Sequence, residues 1–96
     1  MYILVTYDVD TTSETGKKRL RKVARICQNY GQRVQNSVFE CEVTEVQYII
    51  LKDTIKDIID DSLDSVRFYH INKNKSRNID RLGKETSFDI DEVIII

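Results

Sequence analysis

Residues 2–9 are the first apolar segment of the chain, and their β-branched and aromatic content predicts a β-strand. Both alternating faces of this strand are largely apolar: one carries Tyr2, Leu4 and Thr6, and the other carries Ile3, Val5 and Tyr7. A strand of this kind is usually buried on two sides. Because the chain is small, we expect the second cover to come from a partner subunit.

A helix is predicted over residues 11–30. Thr11 followed by Glu14 offers a capping box, and Thr12 or Ser13 offers an alternative N-cap. Gly31 is placed to end the helix, because glycine adopts the backbone conformation that commonly follows a helix.

This helix is amphipathic, with one apolar and one basic face. The buried stripe is expected to consist of Leu20, Val23, Ala24 and Cys27. The opposite face gathers the basic residues Lys17, Lys18, Arg21, Lys22 and Arg25. Arg19 does not join them, since it lies nearer the border with the apolar face.

The pattern beyond this helix predicts a second helix between short strands. Residues 33–43 predict two short strands that meet near residues 36–37, or one strand with a sharp bend or bulge. A helix over residues 44–61 follows, with an apolar side expected to consist of Val46, Ile49, Ile50, Ile58, Ile59 and Leu63. Residues 66–72 predict another strand, residues 78–82 fit a short one, and residues 92–96 predict a last one.

The predicted order is β-α-β-β-α-β with a C-terminal extension, which is the ferredoxin-like arrangement of the α+β class. We expect residues 1–96 to form one such domain, with both helices on one face of the sheet. Residues 93–96 are an uncharged strand that would invite aggregation if left unpaired. We therefore expect a homodimer with facing sheets, in which residues 78–96 are a swapped extension on the partner's sheet.

Composition supports one globular domain, since the chain has 96 residues with 41% hydrophobic and 32% charged residues. No segment resembles a signal peptide or reaches the roughly 20 apolar residues of a membrane span. Cys27 and Cys41 have no metal-ligand spacing and are expected to be buried free thiols. These features indicate a cytoplasmic protein without a membrane partner.

Charge is segregated along the chain despite a net charge of −1. Basic residues dominate from Lys17 to Arg33 and from Arg67 to Lys84, whereas acids dominate from Glu40 to Asp64. The basic helix face, together with Arg33, Arg77 and Arg81, could follow a phosphate backbone without reading its sequence. Solvated helix faces that balance one another remain the alternative interpretation.

Asp8 stands at the carboxyl end of the first strand, where a functional carboxylate is common. The alternative is an aspartate that caps the amides of the following loop. Mg²⁺ takes one or two carboxylates together with water and phosphate oxygens, so a second acid would help. Asp10 could supply it, or Asp8 of a second subunit across a twofold axis. His70, the single histidine, is expected to be packed or half-buried in its strand.

The ordered combination of YDV, a basic helix, QNSVFECEVTE, DSVRFYHI and a final DEVIII resembles the second CRISPR-associated protein family. Its members are small partners of the spacer integrase, described as metal-dependent endoribonucleases or endodeoxyribonucleases. The resemblance implies a ferredoxin-like homodimer with the C-terminal strand docked on the partner's sheet. It also implies a metal-binding role for Asp8 and site roles for Tyr7, Lys17, Arg19, Arg33, Ser37 and Phe39.

Two functions follow as hypotheses. The first is an Mg²⁺-dependent endonuclease that cuts RNA or double-stranded DNA and bridges the spacer-integrase complex. The catalytic residues would be Asp8, Tyr7, Arg19, Arg33 and Phe39. The second is a non-catalytic dimeric scaffold that holds duplex DNA during spacer acquisition. The nucleic-acid contacts in either case would be Lys17, Lys18, Arg21, Lys22, Arg25, Arg77 and Arg81.

Overall fold

The computed structural model describes residues 1–71 and 78–84, which form one antiparallel sheet with two helices on one face. The elements are β1 (Tyr2–Asp8), α1 (Glu14–Gln28), β2 (Gly31–Gln35), β3 (Val38–Glu42), α2 (Glu45–Ile58), β4 (Ser65–Ile71) and β5 (Asn78–Gly83). The strand order is β2-β3-β1-β4-β5. The predicted α+β, ferredoxin-like arrangement is confirmed, with β5 added beside β4.

The fifth strand pairs within its own chain, because β5 is antiparallel to β4 with Arg67 opposite Arg81. The short strand predicted at residues 78–82 is therefore confirmed. The strand predicted at residues 92–96, Arg77, and most of the proposed swapped extension lie outside the described residues. The homodimer and the strand exchange stay predictions.

Strand β1 occupies the centre of the sheet, hydrogen-bonded to both β3 and β4. Ile3, Val5 and Tyr7 face the helices and belong to the main core. Leu4 and Thr6, on the other face, have only 7% and 5% of their surface exposed. Burial on two sides is confirmed, but the expectation that a partner must supply the second cover is wrong at these two positions. The single chain already covers them.

Helix α1 begins with Ser13, whose side-chain oxygen accepts a hydrogen bond from the Gly16 amide. Ser13 is therefore the N-cap among the three alternatives. The helix ends at Gln28, two residues earlier than predicted. A side chain at Gly16 would collide with the Asp10 carbonyl, so the first turn is pressed against the chain that leaves β1. The predicted stripe of Leu20, Val23, Ala24 and Cys27 does pack on the core.

The predicted apolar side of α2 is confirmed only at its carboxyl end, where Ile59 is buried in the core and Ile58 packs against it. Tyr48, Leu51 and Ile55 are its buried residues. In contrast, the four large residues Val46, Ile49, Ile50 and Leu63, all expected on the apolar side, are exposed. The prediction failed because aliphatic residues occupy nearly the whole circumference of the helix, while the spacing from Tyr48 to Leu51 and Ile55 marks the face that meets the core. The helix also ends at Ile58 rather than near residue 61.

Strands β2 and β3 form the hairpin predicted for residues 33–43, with a register shift between Arg33 and Gln35. On β3, Phe39 and Cys41 are fully buried, whereas Glu40 and Glu42 are exposed. Cys27 and Cys41 are buried free cysteines, as expected. Burial raises the pKa of their thiols to about 12 and about 11 respectively.

The observed orientation of α2 predicts that substitutions at two neighbouring positions lower the free energy of unfolding by very different amounts. Leu51→Ala should lower the free energy of unfolding by about 2–5 kcal/mol, because it leaves a cavity in the core. Ile50→Ala, the matched control, should change it by no more than about 0.5 kcal/mol, because that side chain is half exposed. Urea unfolding followed by circular dichroism measures both. A larger loss for Ile50→Ala would contradict this orientation.

Candidate metal and nucleic-acid site

Asp8 is the last residue of β1 and is exposed. It stands opposite Ser65 on β4 and shares its sheet face with Thr6 and Leu4, away from the helices. Among the residues that the structure describes, none contacts its carboxylate through a hydrogen bond or an ion pair. The alternative interpretation, an aspartate capping the following loop, therefore applies to Asp10 and not to Asp8.

Asp10 fills that local role. Its Oδ1 accepts hydrogen bonds from the Thr12 amide at 2.9 Å and from the Thr12 hydroxyl at 2.7 Å. These two bonds hold the pKa of the Asp10 carboxyl below its usual value. One carboxylate oxygen is thus committed to the loop, which makes Asp10 a poor second metal ligand.

The donor chemistry of Asp8 fits a hard divalent cation such as Mg²⁺, which prefers carboxylate oxygens and keeps several waters. Within residues 1–71 and 78–84, no group of three or more His, Cys, Asp or Glu side chains is arranged to hold a metal ion. The described part of one chain therefore offers one carboxylate. A complete site would need further oxygen ligands from a second copy, from water or from a phosphate.

Tyr7, Phe39 and Arg33 come together on the face of the sheet that carries the helices. The Tyr7 and Phe39 rings are stacked with centroids 6.1 Å apart, and the Arg33 guanidinium lies 5.2 Å from the centre of the Phe39 ring. Phe39 has no exposed surface, so it cannot stack on a base in this conformation. Burial raises the pKa of the Tyr7 hydroxyl, which lies in the core beside this ring.

Asp8 points to the opposite face from these three residues, as strand alternation predicts. The candidate catalytic residues Asp8, Tyr7, Arg33 and Phe39 are thus not one pocket within a single chain. Ser37 lies close to them, since its carbonyl accepts a hydrogen bond from the Tyr7 amide. Tyr7, Phe39 and their neighbours therefore pack against the end of β1 on the helix-bearing face, opposite Asp8.

The basic face of α1 is present as predicted. Lys17, Lys18, Arg21, Lys22 and Arg25 are all exposed. Lys17 pairs with Glu14 at 3.3 Å, a solvent-exposed contact of small energetic value. Arg81 is exposed on β5, but its position opposite Arg67 places it on the face away from the helices. The basic helix and Arg81 therefore do not form one surface on a single side of the sheet.

Arg19 is set apart from this basic face by an ion pair with Asp64. Its Nε donates to one carboxylate oxygen at 2.7 Å and its Nη2 donates to the other at 3.3 Å. The Asp64 side chain is fully buried, and the bond to it raises the pKa of the Arg19 guanidinium. Sequence reasoning did not single out Asp64. The one available signal was the border position of Arg19, which separates it from the exposed basic residues.

A second polar cluster joins α2, β4 and β5. The Asp80 carboxylate accepts a hydrogen bond from the Tyr48 hydroxyl, lies 3.1 Å from the Nε2 of His70, and lies 3.7 Å from the Nζ of Lys52. The expectation of a half-buried histidine is confirmed. Because His70 stands opposite Ile3, this cluster lies at the other end of β1 from Asp8. It is separate from the candidate metal site.

The fold and the exposed strand-end acid define a small ferredoxin-like protein with a candidate metal-binding carboxylate. The family model described as "CRISPR associated protein Cas2" matches residues 1–79. The chain belongs to the Cas2 family of CRISPR-associated proteins, and the resemblance drawn from the sequence is confirmed.

Individual relatives match nearly the whole chain. A "CRISPR-associated endonuclease Cas2" from Halalkalibacterium halodurans is 48% identical and covers 99% of each chain. A "CRISPR-associated endoribonuclease Cas2 1" from Moorella thermoacetica is 47% identical over the full length of both. A crystal structure of Streptococcus pyogenes Cas2 at pH 6.5 is 55% identical with a TM-score of 0.72, covering 77% of this chain and 89% of that one. In the described part of the chain, neither helix is long and apolar enough to cross a membrane.

The Asp80 cluster predicts an acid-dependent loss of stability. The Tyr48 hydroxyl, helped by His70 and Lys52, holds the pKa of the Asp80 carboxyl below its unfolded value of about 4. The stabilisation is therefore present above about pH 4 and is lost as the pH falls below it, through the lower folded pKa. Wild type should lose stability relative to Asp80→Asn over this range in urea unfolding. Asp53→Asn is the matched control for losing one carboxylate, and parallel wild-type and Asp80→Asn curves would contradict the prediction.

Proposed function

We propose that this chain is an Mg²⁺-dependent endonuclease of CRISPR adaptation, acting as a homodimer on phosphodiester bonds in RNA or double-stranded DNA. The observation that carries the proposal is the Asp8 carboxylate, which is exposed at a strand end with no partner among the described residues. The names of the two relatives, an endonuclease and an endoribonuclease, support it. The proposed protein partner is the spacer integrase.

The homodimer follows from the small number of ligands in one chain. Asp8 lies on the sheet face away from the helices, so a second copy that approached this face could bring a second Asp8 within reach of the same metal. A phosphate oxygen of the nucleic acid and water would complete the coordination. Mg²⁺ bound there would stabilise charge on the phosphate and lower the pKa of an attacking water.

The rest of the proposed site consists of side chains that hold the nucleic acid or shape the strand end. Lys17 and Lys18 are exposed in the first turns of α1, near the carboxyl end of β1, and would contact phosphates. The contribution of Tyr7, Phe39 and Arg33 would be to pack on the helix-bearing face of the sheet and hold the end of β1, because the Phe39 ring is buried. The cytoplasm is the proposed location, since the CRISPR nucleic acids are there.

Asp8→Asn should abolish Mg²⁺-dependent cleavage, with a loss of more than about 100-fold, because it removes the charged metal ligand. The dimer should remain intact, since the substitution preserves shape. Cleavage of labelled RNA and duplex DNA measures the effect, and size-exclusion chromatography checks assembly. Asp61→Asn, which changes an exposed acid of the α2–β4 connection, is the control and should retain activity. Equal activity of Asp8→Asn and wild type would overturn the assignment.

The alternative is a non-catalytic dimeric scaffold that holds duplex DNA while the integrase performs the chemistry. The exposed basic face of α1 favours this second function, because exposed lysines and arginines along one helix suit a phosphate backbone. The two functions are compatible in one protein. They differ in whether Asp8 matters for spacer acquisition.

Reversing charge at Lys18, Lys22 and Arg25 to Glu should weaken duplex binding and spacer acquisition. If each residue contacts one phosphate, the slope of log affinity against log salt concentration should decrease in magnitude by about three. Fluorescence anisotropy at several salt concentrations measures this slope. Under the scaffold function alone, Asp8→Asn leaves acquisition unchanged in cells, whereas the triple reversal removes it. Unchanged binding by the triple variant would contradict a nucleic-acid role for this face.

A further inference from the structure

We propose that Arg19 and Asp64 form a positioning pair that holds the carboxyl end of β1, so that Arg19 affects cleavage through Asp64 and does not bind phosphate. The inference rests on the proposed function of Asp8 as the metal-binding carboxylate. It assigns a role to Asp64 and changes the role expected for Arg19.

The first argument is the direction of the Arg19 donors. Its Nε and Nη2 form one edge of the planar guanidinium and engage both oxygens of Asp64 at 2.7 and 3.3 Å. This two-point contact is the geometry in which arginine binds a carboxylate most specifically. The Arg19 side chain is only 15% exposed, whereas its neighbours Lys17 and Lys18 are exposed. The Nε–Nη2 edge is therefore already occupied by a carboxylate and does not face an incoming phosphate.

The second argument is what else the Asp64 carboxylate holds. Its Oδ1 accepts the Asp10 amide at 3.0 Å, and its Oδ2 accepts the Asp60 amide at 2.9 Å. Asp10 lies two residues beyond Asp8, and the residue after Asp64, Ser65, is the cross-strand partner of Asp8. The carboxylate therefore fixes the backbone on both sides of the strand end that presents Asp8.

The third argument is the close packing around this carboxylate. The Asp64 carbonyl accepts a hydrogen bond from the Lys84 amide at 2.7 Å, which ties the end of β5 to the same place. A side chain at Gly83, where φ is +84°, would collide with that carbonyl. A side chain at Gly16 would collide with the Asp10 carbonyl. Asp64 is therefore in close contact with the start of α1, the end of β5 and the chain leaving β1, so a change at its carboxylate is expected to reach the strand end.

The experiment compares Arg19→Gln, Asp64→Asn and the double variant with Lys18→Gln, which removes an exposed cation from the same turn. We expect Arg19→Gln to lower kcat by about tenfold or more with KM unchanged, as for groups that orient metal ligands. The salt slope of duplex binding should stay at the wild-type value for Arg19→Gln. For Lys18→Gln that slope should decrease in magnitude by about one.

Amide hydrogen exchange gives a readout that does not depend on activity. The Asp10 amide should exchange about tenfold faster or more in Arg19→Gln and in Asp64→Asn, and at the wild-type rate in Lys18→Gln. The double variant should match the single variants in kcat and exchange, because both substitutions break one unit. Arg19→Lys, which keeps the charge but loses the planar two-point contact, should recover part of both and remains available if Asp64→Asn does not fold.

Two results would overturn the proposal: a salt slope reduced by about one in Arg19→Gln, or a wild-type exchange rate of the Asp10 amide in that variant. An Arg19→Gln loss of kcat that persists at full size in the Asp64→Asn background would overturn it as well. Failure of the proposed nuclease function has a different signature, namely Asp8→Asn with wild-type cleavage. The exchange and salt results are unaffected by that failure.

Discussion

The buried carboxylate of Asp64 constrains the end of the sheet at which Asp8 lies. Four donors from the described residues reach it: two from the Arg19 side chain and one each from the amides of Asp10 and Asp60. Burying an ion pair costs solvation free energy, and such pairs often add little to stability. The Arg19–Asp64 pair contributes mainly to geometry, because it joins α1, the chain leaving β1 and the chain entering β4 at one point.

The sheet divides the candidate functional groups between its two faces. Asp8 lies on the face away from the helices, whereas the basic residues of α1 lie beyond the other face. Within the described residues, the chain connects the two sets where β1 ends and α1 begins. A nucleic acid that contacted both would therefore lie across this end of the sheet, and a metal site there would be completed from outside the single chain.

The buried faces of helices and strands could be predicted from the sequence where the periodicity of apolar residues allows one orientation. The stripe of α1 and the alternation of Phe39 with Glu40 on β3 were correct because apolar and charged residues separate cleanly there. The buried face of α2 was predicted wrongly over most of its length, because exposed Ile49 and Ile50 are as apolar as buried Leu51. The Arg19–Asp64 pair could not be predicted beyond the border position of Arg19, since its partners are 45 residues apart in the chain. Local spacing carries no record of such a contact.

The buried thiols of Cys27 and Cys41 make the opening of the core measurable by chemical labelling. Their raised pKa values leave almost no thiolate at neutral pH, and the thiolate is the form that alkylating reagents attack. One sulfur is carried by α1 and the other by β3, and both are fully buried, so alkylation requires an opening of the core. The rate of alkylation thus reports how often this domain opens, without any probe having to be introduced.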